Sequence, residues 1–155
     1  MQFREKAVMF LATGGYVGNI PVAPGTFGSL LGIPLCYGFA QISLPVAIIG
    51  TVGLILVAIW IAQLAEGICG QKDPGKIVID EIAGMVVTLI GVPFHLTSVL
   101  IGFIIFRVLD ILKPFPIRSL ERRIGGGAGV VLDDVAAGII GNVLVRLILY
   151  IFGHM

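Results

Sequence analysis

Apolar residues run through this chain in long blocks, broken at intervals by glycine, proline and charge. Five blocks read as helices, over about 27–42, 45–65, 80–92, 97–113 and 131–152. Several are shorter than the roughly 20 residues that a hydrocarbon core of about 30 Å asks of a helix. Local thinning of the bilayer, or extension into the loops, accommodates such a shortfall. A further apolar stretch, 8–20, is brief and contains glycine, so it reads as an interfacial or re-entrant piece rather than a sixth span.

Composition turns these blocks into a membrane protein. Of 155 residues, 57% are hydrophobic and 12% charged, and the mean hydropathy is +1.08. Soluble domains carry about 25% charged residues, and a water-facing shell cannot be built from half of that. The expected fold is all-α: one polytopic membrane-embedded domain over residues 1–155, a bundle of about five transmembrane helices. A net charge of +1 excludes the basic field that nucleic-acid binding needs. The start, residues 1–6, lacks a short apolar core with a small-residue cleavage site, so no removable signal peptide is expected.

The connections orient the bundle. Arg4 and Lys6 precede the first helix, and Lys72 and Lys76 lie between the second and third. Lys113, Arg118, Arg122 and Arg123 lie between the fourth and fifth. The two remaining connections, Ser43-Leu44 and Pro93-Phe94-His95-Leu96, hold no Lys or Arg. With five alternating spans every charged connection falls on one side. The positive-inside rule makes that side cytoplasmic, with the N-terminus, and puts the C-terminus outside. Arg118, Arg122 and Arg123 read mainly as topology-setting charges facing lipid headgroups. Arg146 reads as snorkelling to the outer headgroups or pairing within the bundle, and His95 falls on the side away from the chemistry.

The carboxylates follow the cations. Glu66 and Asp73 come after the second helix, Asp80 and Glu81 open the third, Asp110 nears the end of the fourth, and Asp133 and Asp134 open the fifth. Arg107, Asp110 and Lys113 recur every three residues and share one side of their helix. Ala137, Gly138, Gly141 and Asn142 follow Asp134, and Gly84 and Thr88 follow Glu81, as small-residue stripes that admit another helix closely. The acids therefore point at neighbouring helices, where ionisable groups signal function. As bland alternatives, the acidic pairs are helix-start dipole partners and Arg107–Asp110 is a structural ion pair.

Carboxylates converging beside cations need neutralising, and an oxygen-only ligand set favours Mg²⁺, Mn²⁺ or Ca²⁺ over zinc. Mg²⁺ shared between carboxylates and phosphate is the arrangement of phosphoryl chemistry. Asp80, Glu81, Asp110 and Asp134 are the candidate metal ligands, with Asp133 as ligand or general base. Arg107, Lys113 and Thr26 are the candidate phosphate binders. Thr26 lies in Pro24-Gly25-Thr26-Phe27-Gly28-Ser29, which leads into the first helix, and Gly126-Gly127-Ala128-Gly129 approaches the last acidic pair. Cys36 reads as a buried small hydrophobe. Cys69 begins no Cys-x₅-Arg phosphatase signature, because Gly75 stands where the arginine would be.

Four blocks taken in order resemble the phosphatidylglycerophosphatase A family. They are residues 24–29; Ile77-Val78-Ile79-Asp80-Glu81 with Gly84; Phe106-Arg107 through Asp110 to Lys113-Pro114-Phe115-Pro116-Ile117; and Gly126-Gly127 through Asp133-Asp134 to Ala137-Gly138. The resemblance implies a Mg²⁺-dependent phosphatase of the bacterial inner membrane, with its site at the cytoplasmic face. It would convert phosphatidylglycerophosphate, a phospholipid partner within the membrane, into phosphatidylglycerol and inorganic phosphate. A metal-activated water is expected to attack, with a carboxylate nucleophile as the alternative. A lipid phosphotransferase would show a run of spaced aspartates that is absent here. A cation or proton transporter would place its acids near the midplane of repeated halves, and a non-catalytic lipid-binding subunit would need none of them.

Overall fold

The computed structural model describes residues 2–153, with the side chains of residues 120–122 outside that description. Among the described residues the chain forms seven α-helices and no strand. They are α1 (Phe3–Ala12), α2 (Pro24–Ala40), α3 (Leu44–Cys69), α4 (Ile79–Leu89), α5 (Leu96–Leu112), α6 (Ile117–Arg123) and α7 (Gly126–Ile151). A single 3₁₀ turn at Val17–Asn19 lies between α1 and α2. The five expected helices are α2, α3, α4, α5 and α7. The apolar stretch at 8–20 is not a further span: α1 is ten residues long and docks Val8, Met9 and Ala12 against Ala58, Ile61, Ala62 and Ala65 of α3.

Lengths separate the five helices, several of which were expected to be short: two, not clearly five, are candidate spans. α3 and α7, 26 residues each, are long and apolar enough to cross a membrane. α2 and α5, at 17 residues, rise about 25 Å, and α4, at 11 residues, only about 16 Å. α4 is instead the hub of the bundle, in contact with α2, α3, α5 and α7. Nearly all of it, from Ile79 to Leu89, is buried.

The packing is inside out by the standard of a soluble protein. Bulky apolar side chains point outward: Ile49, Leu56 and Trp60 on α3, Leu100, Ile104 and Ile111 on α5, Val143 and Leu147 on α7. Small residues and carboxylates point inward. Three helices carrying such faces make this a membrane protein, since water would not tolerate so much continuous apolar surface.

Glycines set the helix spacing at the centre. A β-carbon on Gly138 of α7 would stand 2.6 Å from the Gly84 carbonyl oxygen of α4, and one on Gly84 would stand 2.9 Å from the Asp134 carbonyl oxygen. The two small-residue stripes, each expected to admit a neighbouring helix, therefore face each other. α2 meets α4 in the same way, with Gly28 against Val78 and Gly32 against Met85. α7 begins at Gly126 rather than near 131 because Gly127 presses on the backbone of α3 at Ile59 and Gln63. A segment that composition reads as a flexible loop is thus the first turn of a helix.

α4 stops within the bundle, where its last carbonyls have no helical partner and lipid offers none. α7 supplies the donors. Asn142 Nδ2 donates to the carbonyls of Thr88 at 2.9 Å and Ile90 at 3.0 Å. Arg146 donates to Ile90 and Gly91 at 3.1 and 2.8 Å, and through Nε to Asn142 Oδ1 at 2.8 Å. Arg146 therefore pairs within the bundle rather than snorkelling. The 41–43 and 90–95 connections lie at that same end, where Tyr37 and Phe94 meet edge to face. Replacing Asn142 with Leu strands these carbonyls. Thermal unfolding in detergent is expected to show a loss of about 1–3 kcal/mol, with the helical content of the folded state unchanged.

Candidate functional site

At the opposite end of the bundle the starts of α2 and α4, the end of α5 and the first turns of α7 converge. Asp80 and Glu81 lie in the first turn of α4, where unpaired backbone N–H groups and the helix dipole favour anions. Asp133 and Asp134 lie differently. Because α7 begins at Gly126, they stand about two turns inside the helix and are each only 3% exposed. The helix-start explanation of this second pair therefore fails. Adjacent helical residues point about 100° apart, and the pair divides accordingly: Asp134 faces α4 and Asp133 faces Lys113.

Asp80, Glu81 and Asp134 each offer a carboxylate oxygen, and these oxygens lie within 4.8 Å of one another. Asp80 Oδ1, Glu81 Oε2 and Asp134 Oδ2 are buried without a hydrogen-bond partner. Buried polar atoms are normally satisfied, and buried carboxylate oxygens are the costliest to leave unpaired. Hard oxygen donors clustered in this way fit a divalent cation that takes oxygen ligands. Asp110 stands beside the trio, acting electrostatically on Glu81 and Asp134, while its own Oδ2 accepts a hydrogen bond from Arg107 Nη1.

The cations sit at the rim of this cluster. Arg107 pairs with Asp110, and its Nε is buried with no acceptor. Lys113 ends α5 in the left-handed region (φ 43°) and donates from Nζ to Asp133 Oδ2 at 2.6 Å. The other Asp133 oxygen, Oδ1, accepts the Asp134 backbone N–H at 3.0 Å. Gly25, in the first turn of α2, lies against both groups: a β-carbon there would collide with Glu81 Oε1 and stand 3.1 Å from Arg107 Nη1. Thr26 follows it, half-buried, and Ser29 donates its hydroxyl to the Gly25 carbonyl at 2.8 Å rather than facing the acids.

Two side chains have positioning roles that the sequence reading did not assign, although it placed Glu66 at the charged end. Glu66, buried near the end of α3, accepts the Asp73 backbone N–H at 2.7 Å. It holds Asp73 in a left-handed conformation (φ 45°) from which Asp73 acts electrostatically on Asp80 and Asp133. Gln63 Oε1 accepts the Gly127 N–H at 2.9 Å and fixes the start of α7. The only sequence signal for either was a polar residue late in an apolar helix.

The remaining candidates lie apart. His95 precedes α5 at the far end of the bundle, about 22 Å of helix from Asp110. A cavity of about 310 Å³ at that end, between residues 39–47 and 91–94, is lined by no ionisable side chain. Cys36 is buried in the core, with its thiol 3.6 Å from the Met85 carbonyl, and Cys69 contacts Met9. Arg118 is exposed on α6, and the side chain of Arg122 lies outside the described residues.

Residues 10–149 match the family model of phosphatidylglycerophosphatase A. The chain is 39% identical over 149 residues to phosphatidylglycerophosphatase A of Escherichia coli K12, an alignment covering 93% of this chain and 82% of that protein. It is 37% identical to phosphatidylglycerophosphatase A of Haemophilus influenzae, covering 92% of this chain and 89% of that protein. A Bacteroides thetaiotaomicron protein, provisionally named a phosphatidylinositol-3-phosphatase, is 32% identical over 94% of this chain and 95% of its own length. No solved structure matches.

The Lys113–Asp133 pair makes one prediction independent of any reaction. Lys113→Met leaves a nearly buried carboxylate without its cation and is expected to cost about 2 kcal/mol of stability. Adding Asp133→Asn should recover much of that loss, read as the coupling energy in a double-mutant cycle of thermal unfolding.

Proposed function

The chain belongs to the phosphatidylglycerophosphatase A family, and from that premise we propose that it hydrolyses the terminal phosphate monoester of phosphatidylglycerophosphate, yielding phosphatidylglycerol and inorganic phosphate. The observation that carries this reading is the trio of buried, unpartnered carboxylate oxygens on Asp80, Glu81 and Asp134, set beside an arginine with a donor to spare. The relatives' names differ in the alcohol of the headgroup. They agree on a lipid whose headgroup bears a phosphate monoester beyond the phosphodiester that joins it to diacylglycerol.

Asp80, Glu81 and Asp134 would hold Mg²⁺, with Asp110 next to them as a further ligand. Bound there, Mg²⁺ supplies positive charge that offsets the phosphoryl oxygens and makes water more acidic. Arg107 binds the phosphate through the guanidinium edge that Asp110 leaves unoccupied, including the unpaired Nε, and Asp110 fixes the plane of that guanidinium. Gly25 lets a phosphate approach the start of α2, where the Thr26 hydroxyl donates to it. Lys113 adds a point charge at the rim. Asp133, expected as ligand or general base, instead has both oxygens engaged and holds Lys113 at the rim, which leaves the attacking water's proton to an unpartnered carboxylate oxygen of the trio. The water oxygen bonds to phosphorus as the bond from phosphorus to the glycerol oxygen breaks, and the proton taken from the water is returned to that oxygen, which leaves as the alcohol of phosphatidylglycerol.

Sidedness follows from the Lys and Arg distribution. The acidic end of the bundle faces the cytoplasm of a bacterial inner membrane, with α2, α3, α4, α5 and α7 together crossing it. A headgroup then reaches the site while its acyl chains remain against the apolar helix faces.

Purified protein should release phosphate from phosphatidylglycerophosphate with Mg²⁺, and stop when the metal is chelated. Asp80→Asn and Asp134→Asn are expected to lower the rate on the order of 100-fold or more while leaving folded protein; wild-type rates in both would end the metal assignment. Arg107→Lys should be nearly as damaging, because an ammonium cannot present two donors in one plane. His95→Ala should keep full activity, since loss would place chemistry at the other end of the bundle.

A further inference from the structure

Beyond the acidic cluster, Lys113 borders a second cleft. Leu112, Lys113, Pro114, Phe115, Arg118 and Ser119 enclose a cavity of about 280 Å³ between the end of α5 and the start of α6. Among the described residues its lining contains two cations, one hydroxyl and no carboxylate, whereas a cavity of about 250 Å³ bordered by Asp133 is lined by Lys72 together with Asp73 and Asp133. Among the described residues Arg118 makes one long hydrogen bond, from Nη2 to the Leu112 carbonyl at 3.4 Å, which steadies the guanidinium over the cleft while its further donors can meet a ligand. The cleft also has an apolar flank. Phe115 is 85% exposed, with Ile111 and Leu112 exposed beside it on the outer face of α5.

We propose that this cleft is the subsite for the phosphodiester that the reaction leaves intact, with Arg118 as its specificity-determining residue. The proposal rests on the reading of the acidic cluster as the place where the terminal monoester is cut. A lipid carrying both groups has two anionic centres separated by a short polyol. Lys113 stands between two matching places in the protein, lining the cleft while its Nζ reaches Asp133. With the diester at Arg118 and Ser119, diacylglycerol leaves past Phe115 and Ile111 into lipid, and the polyol leads inward to Arg107 and the carboxylates. Such a subsite reads the phosphodiester and not the alcohol. A lipid whose only phosphate is a monoester on diacylglycerol would fill one centre alone.

The test uses purified Arg118→Gln and Arg118→Lys in detergent micelles. Arg118→Gln is expected to raise KM for phosphatidylglycerophosphate about tenfold, with kcat within twofold of wild type, as loss of one charge-assisted contact implies. The inhibition constant of phosphatidylglycerol, which keeps the diester and lacks the monoester, should rise in parallel. Inhibition by inorganic phosphate should stay unchanged, and Arg118→Lys should recover part of the loss. An unchanged KM and phosphatidylglycerol inhibition constant, or a fall in kcat alone, would overturn the subsite. Native mass spectrometry of phosphatidylglycerol against diacylglycerol binding reads the subsite without turnover. If the wild type releases no phosphate yet binds phosphatidylglycerol through Arg118, the subsite stands and the assigned reaction falls; equal binding by wild type and Arg118→Gln rejects the subsite.

Discussion

Holding three carboxylate oxygens together away from water is the constraint on which this bundle depends. Their mutual repulsion and lost hydration oppose folding, so the backbones that carry them must be pinned by something stronger. The pinning is close contact at glycines, against main chain between α4 and α7 and largely against side chains between α2 and α4. Gly84 and Gly138 bring α4 and α7 together below the acids, and Gly25, Gly28 and Gly32 bring α2 onto α4 beside them. Any side chain at these positions would push the helices apart and move the carboxylates with them. In lipid, where apolar surface gains nothing by facing apolar surface, such close packing and hydrogen bonding carry the association.

The short central helix is the second consequence. α4 has one end among anions and the other among carbonyls lacking helical partners, and each end receives what its dipole requires. Asp80 and Glu81 sit at its N-terminus, and Asn142 and Arg146 serve its C-terminus. Both Asp134 and Asn142 belong to α7, so one long helix supports the chemistry at one end of α4 and closes the backbone at the other. A substitution on α7 far from the acids can therefore tilt α4 and be felt at the site.

Three non-glycine residues in the left-handed region, Ala23, Asp73 and Lys113, each precede a proline at the acidic end of the bundle. That conformation is disfavoured before proline, and such local strain gathers at functional sites where surrounding structure holds it. Glu66 holds Asp73 and Asp133 holds Lys113. Two of the three turns beside the acids thus add a buried carboxylate contact to their backbone hydrogen bonds.

Much of this was legible in the chain itself. Long apolar blocks and scarce charge determined an all-helical membrane protein, because only helices and closed barrels satisfy their backbone in lipid and barrel strands would alternate apolar with polar residues. The alternation of charged and uncharged connections determined that all the acids share one end, and the glycine stripes determined which faces of α4 and α7 turn to a neighbouring helix, though not that they meet each other. Helix-start spacing misled at 126–134, since close contact with α3 turns a glycine-rich segment into helix that composition reads as loop. Only the tertiary structure separated Asp134, turned to Asp80 and Glu81, from Asp133, turned to Lys113. It alone gave Gln63 and Glu66 their roles, and it alone showed α4 as a half-length helix whose carbonyls depend on Asn142. Periodicity reports which side of a helix is apolar, but the partner a polar side chain meets across a bundle depends on distances between segments far apart in sequence, and no local pattern encodes those.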